Sequence, residues 1–189
     1  MFDKKIVLAS KSPRRSQLLQ EAGFDFEVRT CEVEEEYPAD LPVEDVAAYL
    51  ARKKARESKH LLQNEQEILI AADSIVVMGD TIYGKPKDYE DACRTLKTLS
   101  DNSHQVITGV CILNHEKIQS FSSVSKVFMS PLSHEEIEYY IKTFEPYDKA
   151  GSYAIQEWIG LCKISRIEGT FSNIMGLPVE KLYRELMRF

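Results

Sequence analysis

The sequence predicts an α/β protein of the mixed α+β kind: a twisted mixed sheet with flanking helices, in two lobes around a central cleft. Three observations carry this. Strand-like and helix-like segments alternate through the first half of the chain. Two long alternating runs then flank Asn114-His115, as in an antiparallel pair. The polar motifs fall in loops spread over the whole length, which is how a cleft is lined. The 189 residues are read as one domain, 1–189.

Lys4 to Ala9 reads as a short strand, and SPRRSQLLQEAG as a helix. Ser12 suits its N-cap, Pro13 its first position and Gly23 its end. Phe24 to Cys31 reads as a second strand, followed by the acidic loop CEVEEEYPADLP. Asp45 to Glu57 has helical apolar spacing. ILIAADSIVVMG is a buried strand that turns at Gly79-Asp80 into Thr81-Ile82-Tyr83. After the GKPKD loop, Asp88 caps a helix running to Leu99. Ser133-His134-Glu135-Glu136 is a capping box. EPYDKAGSYAIQ is a polar loop, GLCKISRIEG a further strand, and PVEKLYRELMRF a closing helix.

The balance of 43% hydrophobic and 29% charged residues is that of an ordinary globular protein. A net charge of −6 disfavours broad nucleic-acid binding, so any anion site must be a local cluster of cations. The four cysteines, Cys31, Cys93, Cys111 and Cys162, form no C-x-x-C pair, and free thiols are expected. The four histidines are scattered and read as surface or loop residues. The apolar run after Lys4-Lys5 ends in SKSPRR, too short for a secretory leader, and nothing approaches a membrane span. The expectation is a cytoplasmic protein without membrane or nucleic-acid partners.

Certain residues stand against their local physics. Arg14 and Arg15 occupy the first turn of a helix, whose N-terminus carries partial positive charge and disfavours cations. Strand, turn, helix start and two arginines make a basket for an anion; the alternative is a solvated turn whose arginines pair with carboxylates. Asp73 stands within ILIAADSIVVM, where a lone carboxylate is costly unless paired, hydrogen-bonded or metal-bound. It is either functional or a structural aspartate at a strand end. Ser74 points to the opposite face if the strand is regular. The run Glu32-Val33-Glu34-Glu35-Glu36 is a solvated charge run, unless it meets Asp73, when the carboxylates suit Mg²⁺ or Mn²⁺. Lys85 in Tyr83-Gly84-Lys85-Pro86 offers a compact charge for phosphate, or marks an ordinary turn. Lys53-Lys54-Ala55-Arg56 is a helix face that is solvated or touches ligand. Gln156, ending DKAGSYAIQ, has the donor and acceptor that reading one edge of a nucleobase requires.

In order and spacing, LASKSPRR, EVEEE, ARKKA, AADSIV, GKP, DKAGSYAIQ and MGLP resemble the Maf family of nucleoside triphosphate pyrophosphatases, from about Ile6 to Leu182. The family's members were once described as septum-formation inhibitors. Ser74 and Gln156 make the chain similar to the branch acting on dTTP and UTP. The resemblance implies a Maf/inosine triphosphatase-like fold. It also implies hydrolysis of a pyrimidine triphosphate (dTTP or UTP, with CTP or modified bases left open) to the monophosphate and pyrophosphate, a house-cleaning of the nucleotide pool. It implies catalytic roles for Asp73, Glu35, Lys54 and Lys85, substrate contacts from Ser10, Arg14, Arg15, Ser74 and Gln156, and Mg²⁺ or Mn²⁺ on Asp73 and Glu35. Two departures stand out: A-A-D-S replaces the family's G-A-D-T, and bulky Glu157-Trp158-Ile159-Gly160 follows Gln156, where Trp158 is expected to narrow the cleft or stack on a base. The rival class is a nucleotide- or partner-binding regulator of cell division with little turnover, separated by an assay for released pyrophosphate. The sequence leaves a homodimer open.

Overall fold

In the computed structural model, which describes residues 4–189, the apolar runs become the inner strands of a mixed sheet. Met1–Asp3, at the head of the stretch read against a leader peptide, lie outside the described residues. The strands are β1 (Lys5–Leu8), β2 (Phe26–Val28), β3 (Glu67–Met78), β4 (Thr81–Tyr83), β5 (Ser103–Leu113), β6 (Ile118–Met129) and β7 (Ile164–Glu168). They form one seven-stranded sheet in the order β2-β1-β3-β5-β6-β7, with β4 antiparallel to the end of β3. β1 lies parallel to both β2 and β3. Such interior strands are covered on both faces and read as continuous apolar runs rather than alternating ones. β5 and β6 meet at a turn closed by the Asn114 N–H on the Lys117 carbonyl, at 3.0 Å.

The helices are α1 (Pro13–Glu21), α2 (Val43–Glu57), α3 (Tyr89–Leu99), α4 (His134–Phe144), α5 (Trp158–Cys162), α6 (Phe171–Met175) and α7 (Val179–Leu186). Asp88 caps α3 by accepting from the Asp91 N–H, and Ser133 with Glu136 completes the capping box of α4. Among the described residues no helix is long and apolar enough to cross a membrane.

Some elements differ from the sequence reading. β2 covers only Phe26–Val28, because its partner β1 ends at Leu8, opposite Val28. α2 begins at Val43 rather than Asp45. Gly160-Leu161-Cys162 belong to α5, not to the strand that follows. Ser12 stands at the N-cap of α1, but its hydroxyl caps nothing there. Its N–H donates instead to the Ser10 hydroxyl, at 3.3 Å.

The chain divides into two compact units of interleaved segments. The first comprises the residues up to Ser74, 108–123 and 176–189. Its core includes Val7, Leu69, Ala71, Cys111 and Leu113 from strands, against Ala51 and Ala55 of α2. α2 lies so close to β5 that a Cβ on Gly109 would stand 2.2 Å from the Ala47 backbone. Gly109→Ala is therefore expected to destabilise the protein by about 1–3 kcal/mol, the usual cost of overpacking where backbone must yield. Urea denaturation measures it, and an unchanged midpoint overturns the packing argument. Buried Glu67 is held by Arg29 Nη1 and Nη2, each at 2.8 Å.

The second unit comprises 75–107 and 124–175. Leu96, Leu99, Val127, Ile137, Tyr140 and Ile159 are among its core residues. His104 corrects the reading of the histidines as surface or loop residues. It is only 2% exposed, and its Nε2 lies 2.7 Å from the Tyr153 hydroxyl. Burial pushes its pKa down from 6.5 to about 4.

Candidate active site

The first unit gathers most of the candidate residues. Ser10 follows β1, which is tied to β3 by the Ala9 N–H on the Ile70 carbonyl, at 2.8 Å. β3 carries Asp73 and Ser74, and α1 supplies Arg14 and Arg15. Lys54 lies in the last turn of α2, where a cation also complements the helix dipole. Glu35 comes from the irregular acidic loop.

Lys54 Nζ donates to Asp73 Oδ1 and, at 2.8 Å, to Glu35 Oε1. Asp73 is 7% exposed, so the cost of placing it in an apolar strand is offset by an ammonium. Glu35 is the exposed member of this trio. Among the described residues, no three His, Cys, Asp or Glu side chains cluster closely enough to hold a metal by themselves.

The hydrogen bonds of Arg15 go to neutral acceptors. Its Nε donates to the Gly176 carbonyl at 2.8 Å, its Nη1 to Ser10 Oγ at 3.0 Å and its Nη2 to Ser74 Oγ at 3.2 Å. Ser74 in turn shares a hydrogen bond of 2.9 Å with fully buried Thr108. Desolvation lowers the Arg15 pKa, Asp73 and Glu35 act to raise it, and Arg14 lowers it. An arginine remains protonated throughout, so Arg15 is a full positive charge fixed by neutral oxygens, within electrostatic reach of Asp73. Asp73 and Ser74 keep separate partners, as alternation along a strand requires.

Two members of this cluster escaped the sequence reading. Thr108 looks like any strand threonine. Gly176, in the MGLP stretch read as architectural, contributes a carbonyl and has φ of 119°, a backbone state that favours glycine.

Lys85 and Gln156 belong to the second unit. There the GKP turn and the AGSYAIQ segment are joined by the Gly151 N–H on the Gly84 carbonyl, at 3.2 Å. Gly151 has φ of 72°, and a Cβ on it would come within 2.8 Å of Val76. Gln156 Oε1 is buried and accepts no hydrogen bond from the described residues. Trp158 is partly buried against the apolar core of this unit and meets Tyr139 edge-on, ring centres 5.5 Å apart.

The fold and site together define a mixed α/β protein whose sheet carries a fixed guanidinium and, near it, a carboxylate pair clamped by a lysine. Its sequence matches the family model described as Maf-like protein over residues 5–189. It is 51% identical over 188 residues to the dTTP/UTP pyrophosphatase of Porphyromonas gingivalis, covering 98% of this chain and 94% of that one. With the dTTP/UTP pyrophosphatase of Parabacteroides distasonis it shares 49% over 186 residues, 98% of this chain and 96% of that one. Among solved structures, the Ham1 protein of Staphylococcus aureus aligns over 67% of this chain and 72% of that one, with a TM-score of 0.49 and 18% identity. The chain belongs to the Maf family.

Proposed function

We propose that this protein is a pyrophosphatase that hydrolyses dTTP and UTP between the α and β phosphates, releasing the nucleoside monophosphate and pyrophosphate. The observation that carries the reading is Arg15, a charged guanidinium tied to Ser10, Ser74 and Gly176 by neutral acceptors only. Held in that way, its charge is left for an anion and its geometry is set before the ligand arrives. The names of the relatives support the choice of substrate.

In this reading Arg14, Arg15, Lys54 and Lys85 neutralise the triphosphate, of roughly −4 charge, and the pyrophosphate that leaves. Ser10 keeps Arg15 in place. Asp73 takes the proton from the attacking water, and Lys54 holds that carboxylate in one orientation. Asp73 and Glu35 fit Mg²⁺ or Mn²⁺: both reach the same ammonium, and two carboxylates completed by phosphate oxygens and water are an ordinary ligand set for such ions. Bound there, the cation would supply charge neutralisation on the phosphate oxygens and polarise water. Gln156 reads the base. Its buried, unpartnered Oε1 needs a donor, which the imino N3–H of uracil or thymine offers and N3 of cytosine does not. The cytoplasm is proposed as the location because the nucleotide pool is there.

A panel of dTTP, UTP, CTP and modified pyrimidine triphosphates with Mg²⁺ or Mn²⁺, read by released pyrophosphate, tests the activity. Release from dTTP and UTP is expected. Binding without turnover would favour the regulator instead. The arginine pair gives a second test. Arg14 opposes the charge on Arg15, and a polyphosphate relieves that repulsion. A ligand at about a hundred times its Kd adds about 2.7 kcal/mol to stability, which for a chain of this size raises Tm by about 5–10 °C. No shift in Tm with millimolar dTTP and Mg²⁺ would count against the anion site.

A further inference from the structure

The segment Ala154–Glu157 is a tight turn, closed by the Glu157 N–H on the Ala154 carbonyl at 3.2 Å, with Ile155 and Gln156 at its tip. Both ends of this turn are tied to one atom. The Ala154 N–H donates to the Tyr140 hydroxyl at 3.0 Å, and that hydroxyl donates to Glu157 Oε2. Tyr140 is fully buried in α4, stacked on Phe144 at 4.9 Å, so its hydroxyl is presented from a fixed point. Glu157 stands at the N-cap of α5, yet its side chain makes no cap hydrogen bond. Its Oε1 instead lies 3.5 Å from Nζ of Lys149, which is 8% exposed and also donates to Asp148 at 2.7 Å. Gly160 closes the far side. A Cβ there would fall 1.7 Å from the Ile155 carbonyl oxygen, so α5 is pressed directly on the turn.

This arrangement is costly to build for packing alone. A lysine and a glutamate are drawn out of water to hold one tyrosine hydroxyl, where an apolar trio would fill the same space. What the polar network adds is direction: it fixes the two ends of a turn whose tip bears an unpartnered buried amide oxygen. We infer that Tyr140 is a positioning residue for base selection, its hydroxyl clamping the 154–157 turn through Ala154 and Glu157 so that the Gln156 amide meets the base in one orientation. The inference rests on the proposal that Gln156 reads the base. The tyrosine touches no substrate and acts only through the glutamine.

The test uses the full-length protein and compares kcat/KM for UTP and CTP. Tyr140→Phe keeps the ring and removes the hydroxyl. It is expected to lower the UTP-over-CTP preference at least about tenfold, mainly through a raised KM for UTP with a much smaller change in kcat. Gln156→Ala should lower the preference to the same extent, and the double variant should lose no more than either single one. Glu157→Ala should behave as Tyr140→Phe does, while Glu157→Gln, whose amide carbonyl still accepts from the hydroxyl, should restore most of the preference. This pair decides the matter if Tyr140→Phe fails to fold. A Tyr140→Phe protein with reduced Tm and unchanged preference overturns the positioning role and leaves base reading by Gln156 standing. An unchanged preference in Gln156→Ala overturns base reading and the inference with it. Additive losses in the double variant also overturn the inference, because the tyrosine would then act by another route.

Discussion

Asp73→Asn is expected to lower kcat by about 10²–10⁴ while the protein stays folded, if Asp73 accepts the proton of the attacking water. The amide matches the carboxylate in shape and still offers Lys54 an oxygen, but it has no basicity. Removing one partner of a buried ion pair costs about 3–5 kcal/mol when the other charge is left uncompensated. Here Lys54 keeps Glu35, 2.8 Å away and partly open to water, so the loss falls well short of that range. Pyrophosphate release at saturating dTTP and a denaturation curve on the same preparation separate the two effects. Turnover within a few fold of the parent protein would remove Asp73 from the role of proton acceptor.

Acid should weaken the second unit through His104. Its folded pKa, about 4, lies below the unfolded value of 6.5 because burial penalises the imidazolium. The unfolded chain therefore takes up a proton at a pH where the folded one does not. The stability is complete above pH 6.5, falls as pH drops from there toward 4, and loses nothing further below 4, where both states are protonated. The full loss is about 3 kcal/mol, a large share of the stability of a domain. The only described partner of the ring is the Tyr153 hydroxyl, with no carboxylate bonded to it to favour the charged form. Urea denaturation at pH 7.5 and pH 4.5 measures the difference. His104→Gln, which takes up no proton in this range, should flatten that portion of the profile. An unflattened profile would assign the acid sensitivity to other groups.

Several features were legible along the chain because each carries a local cost. Asp73 announces itself as the one carboxylate in an apolar run, and Arg14-Arg15 as cations at the wrong end of a helix. The capping residues Asp88 and Ser133 were readable for the same reason: their hydrogen bonds close within three residues, to Asp91 and Glu136. The length of β2 was not, because it is set by a partner strand rather than by Phe24 or Cys31. Nor was the burial of His104, since the depth of a residue on β5 depends on what covers that face.

By itself, then, the sequence determined most of the elements, the caps Asp88 and Ser133, the buried run of β3 with its one carboxylate, and the family to which the chain belongs. All of these are short-range patterns or matches of residue type in order. Only the tertiary structure decided who meets whom. Lys54 lies 19 positions from Asp73, Arg15 lies 59 from Ser74 and 161 from Gly176, and Tyr140 lies 14 from Ala154. Such pairings depend on strand order and helix packing, which arise from the burial of many side chains at once, so no window of sequence contains them.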